Sequence, residues 1–201
     1  MPSTERRARE AVVSCARDIH DRRLTHGSSG NVSVRWGERI LMTGTGVSLG
    51  TVTSEELAVI DLDGRHLDGP MPSKEAFLHA AMLRARPEDT AVVHTHSTHS
   101  AAVSCLTVGQ GSDALPPLTA YFRMRVGELP LLPYFAPGDT GLEGVAERMA
   151  RTHRAMLLRN HGPIAASSSL RGALDIIEEI EETAKIFLLI GDRDFTPAPP
   201  L

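Results

Sequence analysis

Cysteine, net charge and long apolar runs are what this sequence has least of. Its 201 residues include two cysteines, Cys15 and Cys105, each in an apolar stretch, and they do not suggest a disulfide framework. The formal net charge of −4 gives no electrostatic reason to expect nucleic acid or an anionic membrane as partner. No apolar run approaches the length that spans a bilayer. The opening MPSTERRARE is densely charged where a signal peptide would carry an apolar core. Internal repeats and low-complexity linkers are missing as well. A soluble cytoplasmic protein of one domain, residues 1–201, is expected, long enough to bury a proper core. Residues 1–9 and 192–201 are expected to be frayed tails.

What the chain does have is concentrated in Pro70–Ser104, PMPSKEAFLHAAMLRARPEDTAVVHTHSTHSAAVS. Ala91-Val92-Val93 reads as a short buried strand ending in His94-Thr95-His96. Two residues apart on an extended backbone, both imidazoles point to the same side. Two imidazoles on one face can grip a divalent cation. A lone histidine in an apolar strand would instead read as a packed core residue. Here Glu75 lies upstream and Arg159-Asn160-His161-Gly162-Pro163 forms a second histidine turn downstream, so the pattern points to a metal site. Pattern alone also gives Glu75 a purely structural role, as a carboxylate in the first turn of a helix from Ser73 to Arg86.

The other elements follow from periodicity. Helices are expected over Thr4–Leu24, Ser97–Leu106, Thr140–Thr152 and Leu170–Ile190, and strands over Val32–Arg35, Arg39–Met42, Ala58–Asp61, Ala155–Leu158 and Ile164–Ala166. Asp63-Gly64 is a hairpin signal. Two loops of small residues, Thr25–Asn31 and Thr43–Gly46, could present N–H and hydroxyl donors to an anion. Neither matches a P-loop or a dinucleotide fingerprint. His79 and His99 read as packing or surface residues. Glu178, Glu179, Glu181 and Glu182 read as a solvated helix face. Gly109–Pro137 is rich in Gly and Pro and resists assignment, apart from a strand near Leu131-Leu132. Irregular segments of this length are usually functional or part of an interface.

SSGNVSVR, TGTGVSLG, PSKE, VVHTHSTHSAAVSCL and RNHGPIAAS occur in the order seen in the class II aldolase/adducin family, and the chain resembles that family from about Glu10 to Ile190. The resemblance implies an α/β fold, a three-layer α/β/α arrangement with a central, mainly antiparallel sheet. It also implies a homotetramer with sites at subunit interfaces. By the same resemblance, His94, His96 and His161 bind zinc, with Mn2+, Fe2+ and Co2+ open as alternatives. Glu75 is the acid/base and a metal ligand when substrate is absent. Ser29, Asn31, Thr43, Gly44 and Ser73 hold a substrate phosphate. Tyr121 best matches a tyrosine that reaches the neighbouring subunit's site, with interface packing as its other reading.

Lys74 stands where the sugar-phosphate aldolases of the family carry a second serine. With PSKE, HSTHS and ALPPLTAYFRMRVGELPLLPYFAPGD, it draws the resemblance toward the 3-oxo-tetronate 4-phosphate decarboxylase branch. Decarboxylating such a β-keto acid would give dihydroxyacetone phosphate and CO2 through the same metal-held enediolate that aldol cleavage leaves. A class II aldolase acting on fuculose, rhamnulose or ribulose phosphate is the alternative, and a non-catalytic adducin-like module the third reading. As proton donor, Glu75 is expected to have a pKa raised by geometry and burial. Lys74 is expected either to add charge for the phosphate or carboxylate, or to face solvent.

Overall fold

The computed structural model describes residues 4–106 and 113–199. The structure begins with α1 (Thr4–Asp21), β1 (Asn31–Trp36), β2 (Arg39–Thr43), β3 (Leu57–Asp61), β4 (His66–Asp68), α2 (Ala76–Ala85) and β5 (Ala91–His94). It continues with α3 (Thr98–Ser104), α4 (Ala120–Arg125), β6 (Leu131–Leu132), α5 (Gly141–Ala150), β7 (Ala155–Leu158), β8 (Gly162–Ser167) and α6 (Leu170–Ile190). The strands form one eight-stranded sheet in the order β4-β3-β2-β1-β5-β8-β7-β6. Every pairing is antiparallel except β6 with β7.

Alternation along the strands divides the core in two. Ala91 and Val93 of β5, with Ala155 and Leu157 of β7, face one layer, built by α1, α3, α4 and α6. Val92, Met156 and Leu158 face the other, where α2 and α5 pack. His94 follows Val92 by two residues and so emerges on the α2 side. Asn31 and Ser33 are registered opposite His94 and Val92 and share that face. None of the helices is long and apolar enough to cross a membrane among the described residues.

Several expectations need correction. The helix α2 starts at Ala76, so Glu75 precedes its first turn and makes no capping hydrogen bond with its side chain. A turn at Lys74-Glu75, closed by the Ala76 N–H on the Ser73 carbonyl at 3.1 Å, takes up the residues expected to open the helix. Asn31 belongs to β1 rather than to the loop before it. The acidic face of α6 is not merely solvated. Glu178 pairs with Arg22 at 2.5 Å, Glu179 accepts from the Thr119 hydroxyl at 2.9 Å, and Glu181 accepts the backbone N–H groups of His99 and Ser100 at 2.9 and 2.8 Å.

The unassigned middle contains α4, opened by Thr119, whose hydroxyl accepts from the Phe122 N–H at 2.9 Å. Gly109 to Ser112, at its start, lie outside the described residues. Within the segments expected to be tails, residues 4–9 are helical, and Ala198 bonds to Pro117 and Arg123 at 2.8 and 2.6 Å. Residues 1–3, 200 and 201 lie outside the description. Cys15 is buried and Cys105 exposed, and both are free thiols.

Candidate active site

β5 runs out at His94, and the chain then passes through Thr95 and His96 into α3. The β7–β8 turn brings His161 against them, with Asn160 in the left-handed region at φ 55°. One ring nitrogen from each of His94, His96 and His161 lies within 4.8 Å of the others. The His96 and His161 Nε2 atoms are 2.9 Å apart. His94 Nδ1 donates to the Pro163 carbonyl at 2.9 Å, which fixes the proton on Nδ1 and leaves a lone pair on Nε2. That Nε2 is buried without a hydrogen-bond partner among the described residues. An orphaned, deeply buried imidazole nitrogen aimed at two other imidazoles is what a metal ligand looks like without its ion.

Electrostatics agree. Burial, with His94 and His161 nearby, holds His96 down at about 3, and burial with His94 holds His161 at about 4. Both rings are therefore neutral near pH 7, the form that ligates metals. Three imidazoles in convergent geometry fit a divalent cation.

Glu75 closes the cluster, Oε2 3.4 Å from His94 Nε2 and Oε1 3.3 Å from His161 Nε2. Its pKa departs from expectation. Burial pushes the carboxyl up, but His94, His161 and the Asn31 amide pull it further down, to about 2. In the substrate-free site Glu75 is a carboxylate anion. Asn31 Nδ2 donates to Oε2 at 2.7 Å, while Oε1 faces His161 Nε2 at 3.3 Å and makes no hydrogen bond among the described residues.

These groups open into a cavity of about 280 Å³ lined by Ser28, Ser29, Gly30, Asn31, Gly44, Thr45, Gly46, Ser73, Lys74, Glu75, His96, Pro137 and His161. Gly30, at φ +79°, turns the first loop into β1 where a Cβ would stand 3.0 Å from the His94 carbonyl. A larger cavity of about 760 Å³ lies at Arg22, Thr98, Arg125 and Glu181. Its charges pair with one another, Arg22 with Glu178 and His99 with Glu181. No metal-ligating cluster lies there among the described residues.

The class II aldolase and adducin N-terminal domain model matches residues 10–188. The chain belongs to the class II aldolase/adducin family. It is 41% identical over 192 residues to a 3-oxo-tetronate 4-phosphate decarboxylase of Pectobacterium atrosepticum, covering 95% of this chain and 88% of that protein. Similarity to an L-fuculose phosphate aldolase of Escherichia coli is lower, 32% over 182 residues, covering 90% and 82%. A crystal structure of YgbL from Escherichia coli superposes with a TM-score of 0.93 at 37% identity, covering 98% of this chain and 96% of the other. The relatives are decarboxylases and aldolases, and the chain is accordingly a lyase of this metal-dependent family.

Within this class II aldolase/adducin site, the residues expected to hold phosphate separate. Ser73 Oγ accepts from Asn31 Nδ2 at 3.0 Å and from the Glu75 N–H at 3.3 Å, and its own proton has no acceptor among the described residues. Lys74 is exposed on the rim and forms no ion pair among the described residues. The Ser29 hydroxyl is held within its loop, donating to the His26 carbonyl at 2.5 Å. Thr43 does not line the cavity. Its buried hydroxyl accepts from the Val32 N–H at 3.2 Å and ties β2 to β1. Tyr121 does not line its own chain's cavity either; it is 61% exposed, with the Arg125 guanidinium 5.5 Å from its ring centre.

Sequence reading placed Ser28, Thr45 and Gly46 in its two anion-facing loops without naming them as site residues, and it missed Pro137 on the cavity wall and the engagement of His79. His79 is fully buried and bonded to Asn31 and Ser33 at 2.5 and 2.7 Å. Its position four residues after Glu75, one helical turn on, was the available signal.

Proposed function

We propose that the protein decarboxylates a 3-oxo-tetronate 4-phosphate to dihydroxyacetone phosphate and CO2, working in the cytoplasm as a metal-dependent carbon–carbon lyase. The observation that carries this reading is the pairing of a convergent three-histidine cluster and Glu75 with 41% identity to a decarboxylase across nearly the whole chain.

The substrate has its carboxylate on the carbon bearing a hydroxyl, beside the ketone. Breaking the bond to CO2 sends the electron pair toward the ketone oxygen, leaving an enediolate that needs one proton on the carbon that lost CO2. A divalent cation, zinc first and Mn2+, Fe2+ or Co2+ next, held by His94, His96 and His161, would supply positive charge to draw off that electron density. Glu75, an anion at rest, would take up a proton from solvent as the site fills and deliver it to the enediolate carbon. Oε1 is the oxygen suited to carry it, because Oε2 is occupied by Asn31. Ser29, Asn31, Gly44, Ser73 and Lys74 would surround the phosphate, with Ser73 Oγ and Lys74 Nζ as donors and Thr43 bracing the strands behind them.

The assembly we propose is a homotetramer with sites at subunit interfaces. Tyr121 and Met124 of α4 are 61% and 60% exposed, and such side chains are better buried against a neighbour. Tyr121 would then reach the adjacent subunit's cavity. The neighbouring Phe122 is different: it is fully buried in its own chain's core.

Incubating the purified protein with 3-oxo-tetronate 4-phosphates and with ketose phosphates, and assaying CO2 and aldehyde separately, tests the function. CO2 without aldehyde is expected. Aldehyde release from a ketose phosphate, without CO2 from the keto acids, would establish the aldolase reading instead.

A further inference from the structure

Behind Glu75 runs a chain of hydrogen bonds that takes no part in the three-histidine cluster. Ser33 Oγ lies 2.7 Å from His79 Nδ1, His79 Nε2 lies 2.5 Å from Asn31 Oδ1, and Asn31 Nδ2 lies 2.7 Å from Glu75 Oε2. Ser33 and His79 are fully buried, and Asn31 and Glu75 nearly so. Their chemistry leaves one consistent assignment of donors. A carboxylate only accepts, so Asn31 must turn its NH2 toward Glu75 and its carbonyl oxygen toward His79. A carbonyl only accepts, so His79 must carry its proton on Nε2. The bare Nδ1 then accepts from the Ser33 hydroxyl. Every donor in the series points toward the Glu75 carboxylate.

We infer that His79 is a positioning residue for the reaction: as the neutral Nε2–H tautomer it locks the Asn31 amide, and Asn31 in turn orients Glu75. This rests on the proposed role of Glu75. The opposite tautomer would call for a flipped amide, setting Asn31 Oδ1 against Glu75 Oε2 at the 2.7 Å now spanned by a hydrogen bond. The ring is fully enclosed, and a buried cation donating from both nitrogens would face only the neutral Asn31 carbonyl and Ser33 hydroxyl. With no donor at position 79, nothing distinguishes the two amide orientations from behind. Glu75 would lose its fixed rotamer, while His94, His96 and His161 kept their places.

The test uses the metal-loaded enzyme and the variants His79→Leu, His79→Gln, Asn31→Leu and the double variant His79→Leu/Asn31→Leu. His79→Leu should lower kcat roughly 10- to 100-fold, the range for partners that orient a site residue, with metal content near wild type and KM changed far less than kcat. His79→Gln, whose amide can donate to Asn31, should recover much of that loss and also guards against a folding failure of the Leu variant. The double variant should be no slower than Asn31→Leu alone, because His79 acts through Asn31. Nitrogen-15 spectra of the wild type should show His79 neutral and protonated on Nε2. An Nδ1–H tautomer, unchanged kcat in His79→Leu, or losses that simply multiply would overturn the inference. If the wild type turned over no candidate substrate, the functional reading would fall separately. The positioning claim would then be decided by the Glu75 carboxyl carbon-13 signal: a signal that shifts in His79→Leu upholds it, and an unmoved one overturns it.

Discussion

Substituting Gly162 by alanine probes the histidine cluster without touching a histidine. Gly162 opens β8 directly after His161, and a Cβ built there would stand 2.1 Å from the Thr95 carbonyl oxygen and 3.3 Å from the His96 Cα. Those obstacles are backbone, with no flexible side-chain end to swing aside. Restoring an ordinary contact of 3.4 Å demands about 1.3 Å of separation between the β7–β8 turn and the segment joining His94 to His96. A metal site tolerates shifts of only about 0.2 Å in its ligand distances. Gly162→Ala should therefore weaken metal binding by about 100-fold, the upper end of the loss seen when a supporting partner of a metal site is removed. The strain should also cost about 3 kcal/mol or more of stability, the upper range for overpacking. Metal content by elemental analysis and urea denaturation of metal-stripped protein separate the two effects. A Gly162→Ala protein with wild-type metal affinity and stability would refute the packing of β8 against Thr95, and with it the geometry of the cluster.

Three other outcomes are expected. Glu75→Gln should keep its metal and still bind the phosphorylated substrate, yet lose on the order of 10²–10⁴-fold in turnover, because an amide cannot carry the proton; near-normal turnover with metal bound would remove Glu75 from proton transfer. Burial, aided by His94, holds His79 at about 3 against 6.5 in the unfolded chain, so the unfolded state takes up a proton that the folded state refuses. Stability of the metal-stripped protein should thus fall as pH drops below about 6.5, with His79 contributing about 1.4 kcal/mol per pH unit, and His79→Gln should remove that part of the slope in urea titrations at pH 7, 6 and 5. Mixing inactive Glu75→Gln and Tyr121→Phe chains under subunit exchange should restore partial activity if Tyr121 serves a neighbour's site; mixtures that stay inactive, or a fully active Tyr121→Phe protein, would exclude that role.

The elements that periodicity resolved are those whose partners are the sheet or core as a whole. Ala91-Val92-Val93 could be read as a buried strand because both of its faces are covered, and α6 ends where its apolar stripe ends, at Leu170 and Ile190. The histidine cluster was legible because His94 and His96 share a local spacing and His161 sits on a glycine turn. Helix α4 escaped notice: it is one short helix of six residues whose apolar content divides between the core, at Phe122, and the exposed face, at Tyr121 and Met124. Side-chain roles set by distant partners were equally hidden. Glu181 looked solvated because the N–H groups it accepts belong to His99 and Ser100, some eighty positions earlier. The expected rise in the Glu75 pKa failed for the same reason, since burial was anticipated but the opposing pull of His94, His161 and Asn31 was not.

Titrating metal into stripped protein while measuring CO2 and dihydroxyacetone phosphate together, with a 3-oxo-tetronate 4-phosphate as substrate, tests the central claim most directly. Both products should appear in equal amounts, rising in proportion to added metal and levelling at one ion per chain, as one cluster of His94, His96 and His161 requires. CO2 release that survives complete removal of the metal, or a fully metal-loaded protein that forms neither product, would contradict it.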